Sequence, residues 1–258
     1  MIVAVIFLTF LAVLFLGLIG FQLLGYRFGA RRRAAGRVNF AEGTAAIETS
    51  LFALLGLLIA FSISGGESRL DARRHLVVQE ANAIGTAYLR LDLMPAATQA
   101  GLRSRFRDYV DARIAYYGHW LQLDQAKADR ARAGELQRRL WSEASTAAMS
   151  TTDTRPAMIA LPAINEMIDV TTARDAAQWM HVPIALFALL IALALACGFF
   201  AGLGMSKNPR PNKLHMVAFA GTLALTAYVI ANIEFPRVGL TALRLFDTLL
   251  IEVRQQMG

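Results

Sequence analysis

The sequence predicts an all-α, polytopic membrane protein: four transmembrane helices, with a helical extension outside the bilayer between spans two and three. Three observations predict it. The chain is 56% hydrophobic, with a mean hydropathy of +0.44, whereas soluble domains sit near about 45–50% apolar. The excess is gathered into four charge-free runs, as a bilayer-spanning chain requires. Between the second and third runs, residues 67–180 hold 15 Lys+Arg against 14 Asp+Glu and no run long enough to span.

The first run is Met1–Leu24. At 1.5 Å per residue it is long enough for a hydrocarbon core about 30 Å thick. A cleaved signal would carry its basic residues before the apolar run. Here they follow it, so a retained helix is expected. The second run, Thr49–Gly66, lies between Glu48 and Glu67. Gly56, Ala60 and Ser64 repeat every four residues with Ala53 close to the same face, a spacing that lets helices approach closely. The third run, Val182–Ser206, begins with Pro183, which suits a first helical turn. The fourth, Leu214–Ile233, ends at Glu234 and Pro236, and Asn208-Pro209 and Pro211-Asn212 mark the turn between them.

These runs divide the chain into spans one and two (1–66), a helical extramembrane domain (67–180), spans three and four (181–235) and an amphipathic C-terminal helix (236–258). The middle domain opens with Leu70, Val77, Ile84 and Leu91 at seven-residue steps, a coiled-coil-like seam that Pro95 stops. Helices are expected over about 96–123, 125–149 and 157–179, with a loop at Ser150–Pro156. In the tail, Leu240, Leu243, Phe246, Leu250 and Val253 form an apolar stripe that could lie on the membrane surface or dock on the helical domain; docking is expected, because the stripe is short and the tail has few basic residues.

The net charge of +7 arises largely in two short connections: Arg27, Arg31, Arg32, Arg33 and Arg37 between spans one and two, and Lys207, Arg210 and Lys213 between three and four. Loop arginines beside membrane spans set orientation. They are not interleaved with exposed aromatics, so nucleic acid is not an expected partner. One cysteine, Cys197, excludes an intrachain disulfide. The four histidines are scattered and none has a metal-ligand neighbour at helical spacing, so no metal or cofactor is expected. Ser62, Ser64 and Ser68 lack any nucleophile motif and no phosphate loop is present, so no catalytic residues are assigned and the protein is not read as an enzyme.

Several segments occur in a recognisable order. Leu54-Leu55-Gly56-Leu57-Leu58-Ile59-Ala60-Phe61 precedes Ser68-Arg69-Leu70-Asp71-Ala72-Arg73. Val78-Gln79-Glu80-Ala81-Asn82-Ala83-Ile84-Gly85-Thr86-Ala87-Tyr88-Leu89-Arg90 follows, then Leu93-Met94-Pro95 and Phe106-Arg107-Asp108-Tyr109-Val110-Asp111. The tail carries Ile233-Glu234-Phe235-Pro236-Arg237-Val238-Gly239-Leu240. This order resembles the bacterial bestrophin-like family, often filed as DUF4239. The resemblance implies a multi-pass protein of the bacterial inner membrane and a homo-oligomer, a pentamer in bestrophins proper. It also implies small anions as permeant partners and span two as the pore helix. The sequence departs from bestrophins in lacking a long helical segment before span one, in a shorter linker after span two, and in an arginine-rich loop after span one.

Helix geometry puts Glu48, Phe52, Leu55, Ile59, Ser62 and Gly66 on one face of span two. In a symmetric oligomer, Phe52, Leu55 and Ile59 would form apolar rings, with Glu48 and Arg69 as charged rings at the mouths. The expected pore-lining residues are therefore Glu48, Phe52, Leu55, Ile59, Ser62 and Arg69. The competing reading has this face packed against the other spans, in a non-conducting membrane scaffold or sensor whose helical domain binds a protein partner. Orientation stays open. Eight basic residues in the short loops against seven near the span ends on the other side favour cytoplasmic loops by a narrow margin, and the family arrangement implies the reverse.

Overall fold

In the computed structural model, residues 2–35, 40–237 and 244–258 are described. They form eight α-helices: α1 (Ile2–Ala34), α2 (Phe40–Arg90), α3 (Ala96–Gly118), α4 (Leu123–Met149), α5 (Arg155–Ala177), α6 (Ile184–Met205), α7 (Lys213–Glu234) and α8 (Arg244–Gln255). A short 3₁₀ turn at Leu91–Leu93 follows α2. No strand occurs among the described residues. By length and composition α1, α2, α6 and α7 can cross a bilayer. Val238, Gly239, Leu240 and Leu243 of the tail motif and stripe lie outside the described residues, as does Arg37 of the basic loop.

The helix α2 does not stop where its charge-free run ends. It continues through Gly65, Gly66 and Glu67 as one element of 51 residues, about 75 Å at 1.5 Å per residue. A helix–linker–helix reading of this region is therefore corrected to a single rod. The two glycines cost helix stability, but Gly66 has a packing reason. A Cβ there would stand 3.0 Å from Cγ2 of Ile233.

The chain divides into two compact units. The first comprises residues 1–70 and 181–241, the second 71–180 and 242–258. The amphipathic tail thus belongs with the extramembrane helices.

In the first unit α1 packs along α6 and α7. The contact with α6 is made backbone to backbone. A Cβ on Gly25 would overlap the carbonyl oxygen of Phe199, one on Gly202 the carbonyl oxygen of Gln22, and one on Gly29 the hydroxyl of Ser206. In lipid no hydrophobic gain favours one apolar face over another, so close packing of small residues decides which helices meet. The buried Gln22 Nε2 also donates to the Met216 carbonyl at 3.2 Å, joining α1 to α7.

In the second unit Ile84, Leu91, Phe106, Tyr109, Leu140, Ile164, Met167 and Leu250 are fully buried in one core. The seam residues Leu70, Val77, Ile84 and Leu91 are all buried. Helix α8 docks here. Leu250 enters the core, Arg254 pairs with Asp111 at 2.8 Å, and Tyr88 donates to the Met257 carbonyl at 2.8 Å.

A charged cluster sits inside this core. Glu80 is fully buried and accepts from Arg113 Nε at 2.9 Å and from Arg174 Nη1. Arg113 also reaches Asp175 at 3.1 Å, and Arg174 reaches Asp247 of α8 at 2.6 Å. The guanidinium of Arg174 lies 3.7 Å from the centre of the Tyr117 ring and that of Arg113 4.8 Å. Burial works to raise the Glu80 pKa, but the two arginine charges and their hydrogen bonds outweigh it, and the carboxyl titrates below its usual 4.5. Burial pushes the Tyr109 hydroxyl up to about 12, so this group, hydrogen-bonded to the Thr171 hydroxyl at 3.0 Å, stays protonated. Arg73 donates to the carbonyls of Ala177 (3.1 Å) and Met180 (2.7 Å), closing the end of α5.

Gly202→Ala lowers the thermal stability of detergent-purified protein by an overpacking cost of about 1–3 kcal/mol. Gly101→Ala, where nothing lies within 4 Å of the new methyl, is neutral or stabilises by about 0.5–1 kcal/mol. Glu80→Gln removes the carboxylate that two buried guanidiniums share, leaving each with one acidic partner, and costs about 3–5 kcal/mol at neutral pH. Because the folded Glu80 value is lowered, its contribution is complete above pH 4.5 and fades as pH falls through the lowered value. Thermal melts of wild type and Glu80→Gln therefore diverge most near pH 7 and converge in acid.

Candidate functional site

The membrane segment of α2 has two faces with different fates. Leu55 is 3% exposed and lies in a cluster with Leu14, Leu18, Leu193, Cys197 and Ala220. Phe52 meets the Phe219 ring edge-on, with centroids 5.9 Å apart. Ile59 and Leu55 border a void of about 20 Å³ together with Leu14, Ala194, Leu223 and Ala227. That space is apolar and holds at most one water, too small for a hydrated ion. Ser62 is 7% exposed, and its hydroxyl donates to the Leu58 carbonyl at 2.7 Å. The face expected to line a pore is thus the one that α2 turns toward α1, α6 and α7 of its own chain.

The opposite face is open. Leu54 is 46% exposed, Leu57 51% and Phe61 63%, and Ala53, Gly56, Ala60 and Ser64 are exposed beside them. Leu54, Leu57 and Phe61 follow helical spacing, so they form one apolar stripe flanked by small residues. The sequence displayed this stripe in Gly56, Ala60 and Ser64 but could not say whether it faced inward or outward. In the second unit α2 also leaves His75, Gln79, Asn82 and Thr86 exposed at the same period, a stripe of uncharged or weakly basic polar groups.

The charged candidates at the ends are engaged. Glu234, buried at the end of α7, accepts Arg69 Nη2 at 2.8 Å and Nε at 3.1 Å. Its other oxygen accepts the Val182 amide at 2.9 Å and stands 3.4 Å from His181 Nδ1. Three N–H donors converge on one carboxylate with His181 beside them, and they tie α2, the entry to α6 and the end of α7 together. At the other end, Glu48 is half-buried and faces Lys207. Arg69, expected at a mouth, is instead paired with the buried Glu234, a partner 165 residues away that no local spacing reveals. Of the other polar residues near it in sequence, Arg74 pairs with Asp71 at 3.0 Å and Arg90 donates to the Ile159 carbonyl at 3.1 Å. Among the described residues no group of three metal-ligating side chains occurs.

The sequence matches the Bestrophin-like domain over residues 16–243. Comparison with curated proteins finds no significant match. Among solved structures, one variant of a bacterial bestrophin homologue from Klebsiella pneumoniae superposes with a TM-score of 0.68 at 13% identity, covering 93% of this chain and 96% of that one. A second variant gives 0.66 at 16% identity, covering 97% of each chain. Identity this low speaks to the fold alone. The family match spans most of the chain, and this all-helical, four-span protein belongs to the bestrophin-like family.

Proposed function

We propose that the protein is a homo-oligomeric ion channel of the bacterial inner membrane, a pentamer that passes small anions, with α2 lining the conduction path. The supporting observation is the open α2 stripe. Leu54, Leu57 and Phe61 are large, apolar and exposed in the single chain, while Phe52, Leu55 and Ile59 are engaged in its core. Copies of Leu54, Leu57 and Phe61 around an axis form stacked apolar rings, a constriction that gates by dewetting. Gly56, Ala60 and Ser64 beside them let neighbouring α2 helices approach.

In this arrangement the six residues first expected at the pore divide by role. Phe52, Leu55, Ile59 and Ser62 fix the rotation of α2 about its own axis, and Arg69, through Glu234, fixes its far end. Glu48 stands at the near end beside Lys207. No chemistry of bond making is assigned, and the reading is of a conduit, not an enzyme.

Purified oligomer in planar bilayers tests this. Phe61→Ala and Leu57→Asn raise single-channel conductance or open probability several-fold by wetting the constriction, whereas Leu55→Ala lowers thermal stability by about 2–5 kcal/mol and leaves permeation unchanged. Effects at Leu55 and Ile59 without effects at Leu57 and Phe61 would mean that α2 is rotated the other way in the assembly. Silence across ions and pH in well-folded oligomers favours the non-conducting scaffold, whose helical domain would bind a protein partner.

A further inference from the structure

We infer that the end of the membrane unit where α1 finishes and α6 turns into α7 is a binding surface for anionic phospholipid headgroups. The glycine contacts between α1 and α6 dictate what comes together there. Gly25 lies against the Phe199 carbonyl and Gly29 against Ser206, so the last turns of α1 run beside the last turn of α6. The Tyr26 hydroxyl then sits 3.1 Å from the Asn208 carbonyl and 2.8 Å from that of Pro209, which pins the α6–α7 turn to α1.

Two basic segments far apart in sequence therefore share one end. Helix α1 brings Arg27, Arg31, Arg32 and Arg33. The turn and the start of α7 bring Lys207, Arg210 and Lys213, all exposed. Among the described residues, Arg27, Arg31, Arg33, Arg210 and Lys213 form no ion pair, and Glu48 beside Lys207 is the acid that faces the cluster. The opposite end of the same unit differs, since its Arg69 is matched by the buried Glu234. Among the described residues, basic charge in this unit is thus concentrated at one end, with Glu48 as the acid beside it.

The height of the cluster selects a lipid over a soluble anion. Arg27 follows the apolar run of α1 within three residues of Leu24, and Lys207 follows Met205 and Ser206 at the end of α6. That is headgroup level, where basic side chains meet lipid phosphates and each contributes appreciably to attraction. Phe28 is exposed at the same level, with the Arg32 guanidinium 5.1 Å from its ring centre and the Phe199 ring 5.9 Å away. An aromatic ring at the interface anchors beside acyl chains, which a free phosphate site does not need.

The test measures lipid retention by native mass spectrometry on full-length protein in neutral detergent, with phosphatidylglycerol or phosphatidylcholine added. Phosphatidylglycerol is expected to bind about tenfold more tightly than phosphatidylcholine, with the preference collapsing at about 0.5 M salt. The variant K207Q/R210Q/K213Q loses about tenfold or more of the preference, while the charge-matched K127Q/R132Q/R138Q in the second unit keeps it. Equal binding of the two lipids, retention of the preference in K207Q/R210Q/K213Q, or displacement of the lipid by inorganic phosphate at matched concentration overturns the inference. Should K207Q/R210Q/K213Q not fold, the salt titration of the wild-type preference decides alone.

Discussion

Peptide groups in hydrocarbon have no water to turn to, so each must bond within its own helix. Everything else in the membrane unit follows from that constraint. It makes α1, α2, α6 and α7 rods, and then leaves open how the rods meet, because lipid tails are as apolar as leucine. The contacts that decide are steric. Gly25 and Gly202 let α1 and α6 touch backbone to backbone, Gly29 makes room for the Ser206 side chain, and Gly66 leaves room for Ile233 of α7. With α1, α6 and α7 bundled, α2 lays Phe52, Leu55 and Ile59 on them and presents Leu54, Leu57 and Phe61 outward.

Charge is handled differently in the two units. In the second unit Glu80, Arg113 and Arg174 are removed from water together, with Asp175 and Asp247 as second partners of the two arginines. Such a cluster adds little net stability over an apolar core, yet losing one member is costly. Its value here is registration. It links α2, α3, α5 and α8, and only one relative placement of these helices satisfies every partner. In the first unit, Glu234 plays the corresponding part for α2, α7 and the start of α6. Both carboxylates sit where three elements meet, and in both cases arginine supplies the planar, multiply donating partner that such a junction needs.

The rods themselves were legible in the sequence. Charge-free runs, the Pro95 stop, the Ser150–Pro156 loop and the heptad seam all have helical counterparts, with ends shifted by a few residues. The continuity of α2 was not legible, because Gly65, Gly66 and Glu67 read locally as an end, and their tolerance depends on the neighbour Ile233. Which face of α2 is free was not legible either. Leu54, Leu55, Leu57 and Ile59 are equally apolar, and hydropathy carries no information on which of them meets protein. The Glu80 cluster was missed for a third reason. No local spacing in the sequence links Arg113 or Arg174 to Glu80, since the partners lie 33 and 94 residues from it. For the tail, Leu250 of the expected stripe is buried in the second unit.

The rotation of α2 in the assembled protein is the point on which the functional account turns. It can be read by disulfide cross-linking in native membranes, with Cys197 replaced by alanine and a single cysteine placed at position 61 or position 55. The account predicts that Phe61→Cys yields covalent dimers on mild oxidation and that Leu55→Cys does not. Cross-linking through position 55 with none through position 61 would contradict it.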